Sequence, residues 1–118
     1  MPEDGCTIWF NPACSKCRGA KELLEERGAR VSYFHYLDER PTRADLEEVL
    51  ARLRTSDPRA MMRTGEARYR ELGLATADRD ALLEAMVSHP VLIERPIVIV
   101  GDRAVVARPP ERLLELFA

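Results

Sequence analysis

A chain of 118 residues with 46% hydrophobic and 32% charged side chains reads as one domain over residues 1–118, long enough for a single core and not for two. Its net charge of -2 gives no footing for nucleic acid or an anionic membrane surface, and no apolar run approaches the ~20 residues of a transmembrane helix. The start Met1-Pro2-Glu3-Asp4 is acidic where a secretory signal is basic, so a cytoplasmic protein is expected, with reduced cysteines.

Cys6 to Phe10 is a short apolar run closed by Asn11-Pro12, which predicts a first strand with Cys6 as a small buried hydrophobe. Ser15 to Arg27 predicts a helix with Ala20, Leu23 and Leu24 on one face and Gly28 as its stop. Val31 to Leu37, rich in β-branched and aromatic residues, predicts a second strand. Strand, helix, strand at this spacing implies parallel pairing through a right-handed crossover. Thr42-Arg43-Ala44-Asp45 has the form of a capping box ahead of Leu46, Val49, Leu50 and Leu53 at helical spacing. Ser56 to Leu74 reads as short helical pieces broken at Pro58, Gly65 and Gly73, and Asp78 to Ser88 as a helix ended by His89-Pro90. Ile97 to Val100 is wholly apolar, Gly101-Asp102 is a hairpin signal, and Ala104 to Ala107 is the partner strand. Pro109-Pro110 opens a final helix expected to turn Leu113, Leu114 and Phe117 inward. The order predicts an α/β fold: a thioredoxin-like mixed four-stranded sheet flanked by helices, with a helical insertion between strands two and three.

The chemistry concentrates in Cys14-Ser15-Lys16-Cys17, between the first strand and the first helix. A sulfur at a helix N-terminus meets unpaired N–H groups and the positive end of the helix dipole, which favour thiolate over thiol, and Lys16 and Arg18 add positive charge. Three readings compete. The pair is a nucleophile, Cys14, with a resolving partner, Cys17; or half of a zinc site; or two buried structural sulfurs. A zinc site needs a second ligand pair, and His35 and His89 have no ligand spacing. Ser15 and Lys16 between the cysteines argue against deep burial. There are 16 arginines against two lysines, so position must decide which act. Arg95 precedes Pro96 at the start of the third strand, Arg108 precedes Pro109-Pro110 at the end of the fourth, and Arg63 follows Ala60-Met61-Met62 in the insertion. If strands one and three are neighbours, Arg95 and Arg108 converge on the cysteine loop, where an arginine fork suits a tetrahedral oxyanion. Pro96 stands at the expected cis site of a thioredoxin-like fold.

Asn11-Pro12-Ala13-Cys14, Leu92 to Val98 (Leu-Ile-Glu-Arg-Pro-Ile-Val) and Arg108-Pro109-Pro110-Glu111 together resemble the glutaredoxin-dependent arsenate reductase family of bacteria. Tyr36-Leu37, Pro41-Thr42-Arg43, Arg59-Ala60-Met61-Met62-Arg63 and Tyr69 to Leu74 agree, so the resemblance runs from about Thr7 to about Phe117. It implies Cys14 as catalytic cysteine, Arg63, Arg95 and Arg108 as oxyanion-binding arginines, Pro96 as the cis-proline and Asn11 as part of the loop that shapes the site. Two positions depart from the family pattern. Phe10 stands where well-characterised members carry histidine, and Cys17 where many carry serine, trading a stronger hydrogen-bond donor for a second thiol. The short reach beyond Arg108 resembles the shorter branch of the family.

The resemblance implies a thiol-dependent reduction of arsenate to arsenite. The Cys14 thiolate attacks arsenic, and a second thiol, Cys17 or glutathione as co-substrate, collapses the adduct. Glutaredoxin or thioredoxin then recycles a monomeric enzyme that needs no metal or bound cofactor. The alternatives are a general thiol–disulfide oxidoreductase and a non-enzymatic redox-sensing regulator of the related Spx type. The arginine trio favours the reductase, since a polymerase-binding switch has no use for an anion site.

Overall fold

The computed structural model describes residues 5–117, which form two compact units by contact: residues 5–39 with 95–117, and Arg40–Glu94. The first unit is built on a four-stranded sheet in the order β2-β1-β3-β4. Strand β1 (Gly5–Trp9) runs parallel to β2 (Arg30–Phe34) and antiparallel to β3 (Ile97–Val100), which pairs antiparallel with β4 (Arg103–Val106). Helix α1 (Ser15–Glu26) makes the crossover between β1 and β2. The pairing is that of a thioredoxin-like sheet.

The core follows from alternation along the strands. Cys6 and Ile8 of β1 face one way and join Cys17, Ala20 and Leu24 of α1, Val98 of β3 and Leu113 of the C-terminal segment in one buried cluster. Each fully buried aliphatic side chain here contributes about 1.5–3 kcal/mol over an exposed one. Cys6 is indeed a buried hydrophobe, within the sheet.

Two elements differ from the reading of the sequence. The second strand ends at Phe34, and Tyr36–Glu39 forms a short helix, α2. Its start is fixed by His35, whose N–H donates to the Glu39 carboxylate at 2.9 Å while its carbonyl accepts from the Asp38 and Glu39 N–H groups. This local capping outcompetes the β propensity of the residues around it. The final helix, Pro110–Phe117, is a 3-10 helix. With three residues per turn, Leu113 and Leu116 eclipse one another and are buried, whereas Leu114 is 44% exposed. The expectation that Leu114 turns inward assumed an α-helical period.

The second unit contains α3 (Arg43–Arg52), α4 (Ala67–Glu71) and α5 (Arg79–Ser88), joined by 3-10 turns at Pro58–Met61, Leu74–Thr76 and Pro90–Leu92. The capping box forms: the Thr42 hydroxyl accepts from the Asp45 N–H at 3.1 Å, and the Asp45 carboxylate accepts from the Thr42 N–H at 2.9 Å. Leu46, Val49 and Leu50 of α3 and Leu82, Leu83 and Met86 of α5 are buried. Arg59 holds the irregular stretch together. Its guanidinium donates to the Tyr69 hydroxyl and to the carbonyls of Leu74, Ala75 and Ala77.

Candidate active site

Register brings the site together. Trp9 pairs with Ile97 and Ile97 with Val106, so the end of β1, the start of β3 and the end of β4 share one end of the sheet. The residues that follow or precede them are Asn11 to Cys14, Arg95-Pro96 and Ala107-Arg108. Sequence-distant segments thus meet within the first unit.

The loop after β1 is shaped by its own hydrogen bonds. Asn11 accepts from the Ala13 N–H through its side chain and from the Cys14 N–H through its carbonyl, both at 3.0 Å. Arg18, one turn into α1, donates from Nη1 to the Pro12 carbonyl at 2.8 Å. Nothing in the sequence reading gave Arg18 this role. The loop delivers Cys14 to the N-cap position of α1, in extended conformation.

The two thiols are set apart by their surroundings. Cys14 is 8% exposed and Cys17, one turn further in, is 0% exposed. Burial by itself would raise Cys14. The N–H and S–H of Cys17, the Lys16 N–H and the Arg95 charge outweigh that, and hold the Cys14 thiol below its ordinary value. Burial dominates at Cys17 and pushes it up to about 12, against a hydrogen bond from the Asn11 backbone, with the Cys14 charge adding to the rise. The arrangement sets Cys14 at the helix N-terminus, held below its ordinary value, with the Cys17 thiol donating it a hydrogen bond.

Arg95 and Arg108 are tied together within the first unit. Arg108 Nη1 donates to the Arg95 carbonyl at 2.9 Å, and the Ala107 N–H donates to the Pro96 carbonyl at 2.9 Å. Arg95 is half-buried, and its Nε is a buried donor without a hydrogen-bond partner among the described residues. The Arg95–Pro96 bond is cis, as expected, and so is Arg108–Pro109. Arg63 lies in the second unit. Its Nη1 donates to the Val91 carbonyl at 3.2 Å, and its Nη2 pairs with Glu66 at 3.3 Å.

Phe10 is buried and packs edge-to-face against Tyr33 and His35, with ring centroids at 5.2 and 5.9 Å. It is a hydrophobic wall of the core in front of the loop. Among the described residues no group of three or more histidines, cysteines or carboxylates could hold a metal ion, and no helix is long and apolar enough to cross a membrane.

A family model described as the ArsC family matches residues 9–116. The chain is similar to an arsenate reductase of Neisseria meningitidis serogroup A, 44% identical over 115 residues that cover 96% of this chain and 97% of that protein. An arsenate reductase of Escherichia coli K12 is 40% identical over 114 residues, covering 93% of this chain and 79% of that protein. Among solved structures, an arsenate reductase from Vibrio cholerae superposes with a TM-score of 0.91 at 41% identity, over 95% of this chain and 97% of that one.

Proposed function

The chain belongs to the ArsC family, and on that premise we propose that it reduces arsenate to arsenite with Cys14 as nucleophile. The observation that carries this reading is the pairing of a stabilised Cys14 thiolate with Arg95, whose charge acts on both sulfurs and whose buried Nε has no hydrogen-bond partner among the described residues. A buried unsatisfied donor costs about 1–3 kcal/mol, and a bound oxyanion oxygen is the acceptor that would relieve it. The names of the relatives favour this substrate over the general disulfide exchanger and the Spx-like regulator.

In the proposed reaction Arg95 and Arg108 bind arsenate through charge-assisted hydrogen bonds, with Arg63 assigned as a third ligand on the family resemblance alone. The Cys14 thiolate forms a bond to arsenic, and a hydroxyl leaves as water after taking a proton. The Cys17 thiol then attacks Cys14 Sγ and gives up its proton. The sulfur–arsenic bond breaks with its electron pair going to arsenic, so As(V) leaves as As(III) and a Cys14–Cys17 disulfide remains. Burial supports this route, because Cys17 is wholly covered from solvent while Cys14 is the more exposed of the two. Asn11 shapes the loop that holds Cys14 at the helix start. Glutathione with glutaredoxin, or thioredoxin, returns the disulfide to the dithiol in the reducing cytoplasm, on a monomeric enzyme without metal or bound cofactor.

Steady-state arsenite formation, measured with glutathione and glutaredoxin and separately with thioredoxin, tests the proposal. Turnover with one of these and none after Cys14→Ser is the expected result. Arsenite formation that survives Cys14→Ser, or is absent with every reductant, overturns it.

A further inference from the structure

Two features of the site suit a smaller, uncharged oxidant as well as an oxyanion. Cys14 is recessed, the residue 8% exposed, and Cys17 beside it is wholly covered, its thiol donating to the Cys14 sulfur. The Nε of Arg95, whose charge acts on both sulfurs, is a buried donor without a hydrogen-bond partner among the described residues. A nucleophilic sulfur, a guanidinium donor and an adjacent protected thiol are together what two-step reduction of an O–O bond requires. The thiolate attacks one oxygen, the donor stabilises charge on the other, and the second thiol intercepts the oxidised sulfur before it goes further up the oxidation ladder.

We propose that the Cys14–Cys17 pair also reduces small hydroperoxides, with hydrogen peroxide as the preferred substrate. The proposal rests on the reading of Cys14 as nucleophile and Arg95 as ligand-binding cation. In the first step Cys14 Sγ bonds to the near peroxide oxygen and the O–O bond breaks. The far oxygen leaves as water or an alcohol after taking a proton, giving a sulfenic acid on Cys14. In the second step Cys17 Sγ attacks Cys14 Sγ and loses its proton. The sulfenic hydroxyl leaves as water, giving the Cys14–Cys17 disulfide. The peroxide has then gained two electrons and the two thiols have lost them, and the thiol reductant that serves the arsenate cycle restores the dithiol. The recess selects for size, since a bulky organic hydroperoxide cannot bring its O–O bond to a sulfur so little exposed. The cost of Cys17 burial is offset by what that burial does here: the resolving thiol itself is kept from the oxidant.

The test mixes reduced protein with equimolar hydrogen peroxide, without other thiols, and follows the products by intact mass and the rate by stopped flow. Wild type should lose two hydrogens, and Cys17→Ser should instead gain one oxygen on Cys14, trapped by dimedone. The rate per Cys14 thiolate, with the thiolate fraction taken from iodoacetamide alkylation, should exceed that of glutathione thiolate by about tenfold or more, the value of one charge-assisted donor. It should fall towards the glutathione value in Arg95→Lys and in wild type saturated with sulfate, and cumene hydroperoxide should react more slowly than hydrogen peroxide. The sulfate arm keeps the question open to measurement if the variant fails to fold. A wild-type rate equal to that of glutathione thiolate, or a rate indifferent to both Arg95→Lys and sulfate, overturns the proposal. Arsenate turnover is scored in a separate assay, so failure there with a fast peroxide reaction here counts against the arsenate reading alone.

Discussion

Arg108 donates from Nη1 to the backbone carbonyl of Arg95 at 2.9 Å, so the Arg108 guanidinium is tied to the segment that carries Arg95. The link spans the ends of β3 and β4, and the Ala107 N–H to Pro96 carbonyl bond lies beside it. One arginine therefore orients the backbone from which the other projects. Arg108→Ala should lower oxyanion affinity by more than its own contact is worth, because Arg95 loses its brace. Calorimetric titration of sulfate into Arg108→Ala, Arg95→Ala and the double variant checks this. Non-additive losses are expected, and strictly additive ones contradict the coupling.

Arg95 itself offers a separation of stability from binding. Its buried Nε has no hydrogen-bond partner among the described residues, so its removal should not destabilise the fold, and Arg95→Met should melt at or above the wild-type temperature. Arsenate turnover should fall by about tenfold to a hundredfold even in Arg95→Lys, which keeps the charge and loses the fork. A large drop in melting temperature for Arg95→Met would mean that the guanidinium is a structural group.

The two thiols give opposite pH signatures. Cys14 lies below its ordinary value, so iodoacetamide should label it first at neutral pH, while Cys17, raised to about 12, stays unlabelled. For stability, the depressed Cys14 value favours the folded state at pH above its unfolded value and loses that contribution as pH falls through its folded one. The raised Cys17 value acts the other way. Its effect is absent below the ordinary value of 9.0 and grows as pH rises from there towards about 12, because the unfolded thiol ionises first. Thermal melts of the reduced protein should show wild type losing stability relative to Cys17→Ser above about pH 9. A difference that does not change with pH would contradict the burial assigned to Cys17.

The C-terminal 3-10 helix makes a sharp contrast between neighbours. Leu113→Ala should cost about 2–4 kcal/mol by opening a cavity under the sheet, and Leu114→Ala less than about 0.5 kcal/mol. Denaturant unfolding of the two variants measures both, and equal losses would restore the α-helical register.

The parts of the fold that were legible in the sequence are those whose signals are local. The first strand, expected over Cys6 to Phe10 and found over Gly5–Trp9, announces itself through its apolar run and turn, and Ile97 to Val100 and the Thr42 capping box form where they were expected. The extent of β2 was not legible, because His35 trades strand pairing for a bond to Glu39 that only the folded turn makes worthwhile. Nor was the inward face of Pro110–Phe117, since Leu113, Leu114, Leu116 and Phe117 fit periods of three and of 3.6 alike. At the site, Cys14 could be read from its place before a helix, and Arg95 and Arg108 from the prolines that follow them. What no spacing reveals is that register sets Arg95 where its charge reaches both sulfurs, or that Arg18 fastens the loop through the Pro12 carbonyl. Those relationships join residues through the sheet or through the start of a helix, and they exist only once the chain has folded.

The central claim is that Cys14 attacks arsenate and Cys17 completes the reduction. It is tested most directly by a single turnover of the fully reduced protein with arsenate and no added thiol, quantifying arsenite and the mass of the protein together. The account predicts about one arsenite per chain and a protein lighter by two hydrogens, with Cys14→Ser giving neither and Cys17→Ser giving no arsenite until glutathione is added. Arsenite released while the wild-type protein remains fully reduced, or a Cys17→Ser variant that releases it unaided, would contradict the account.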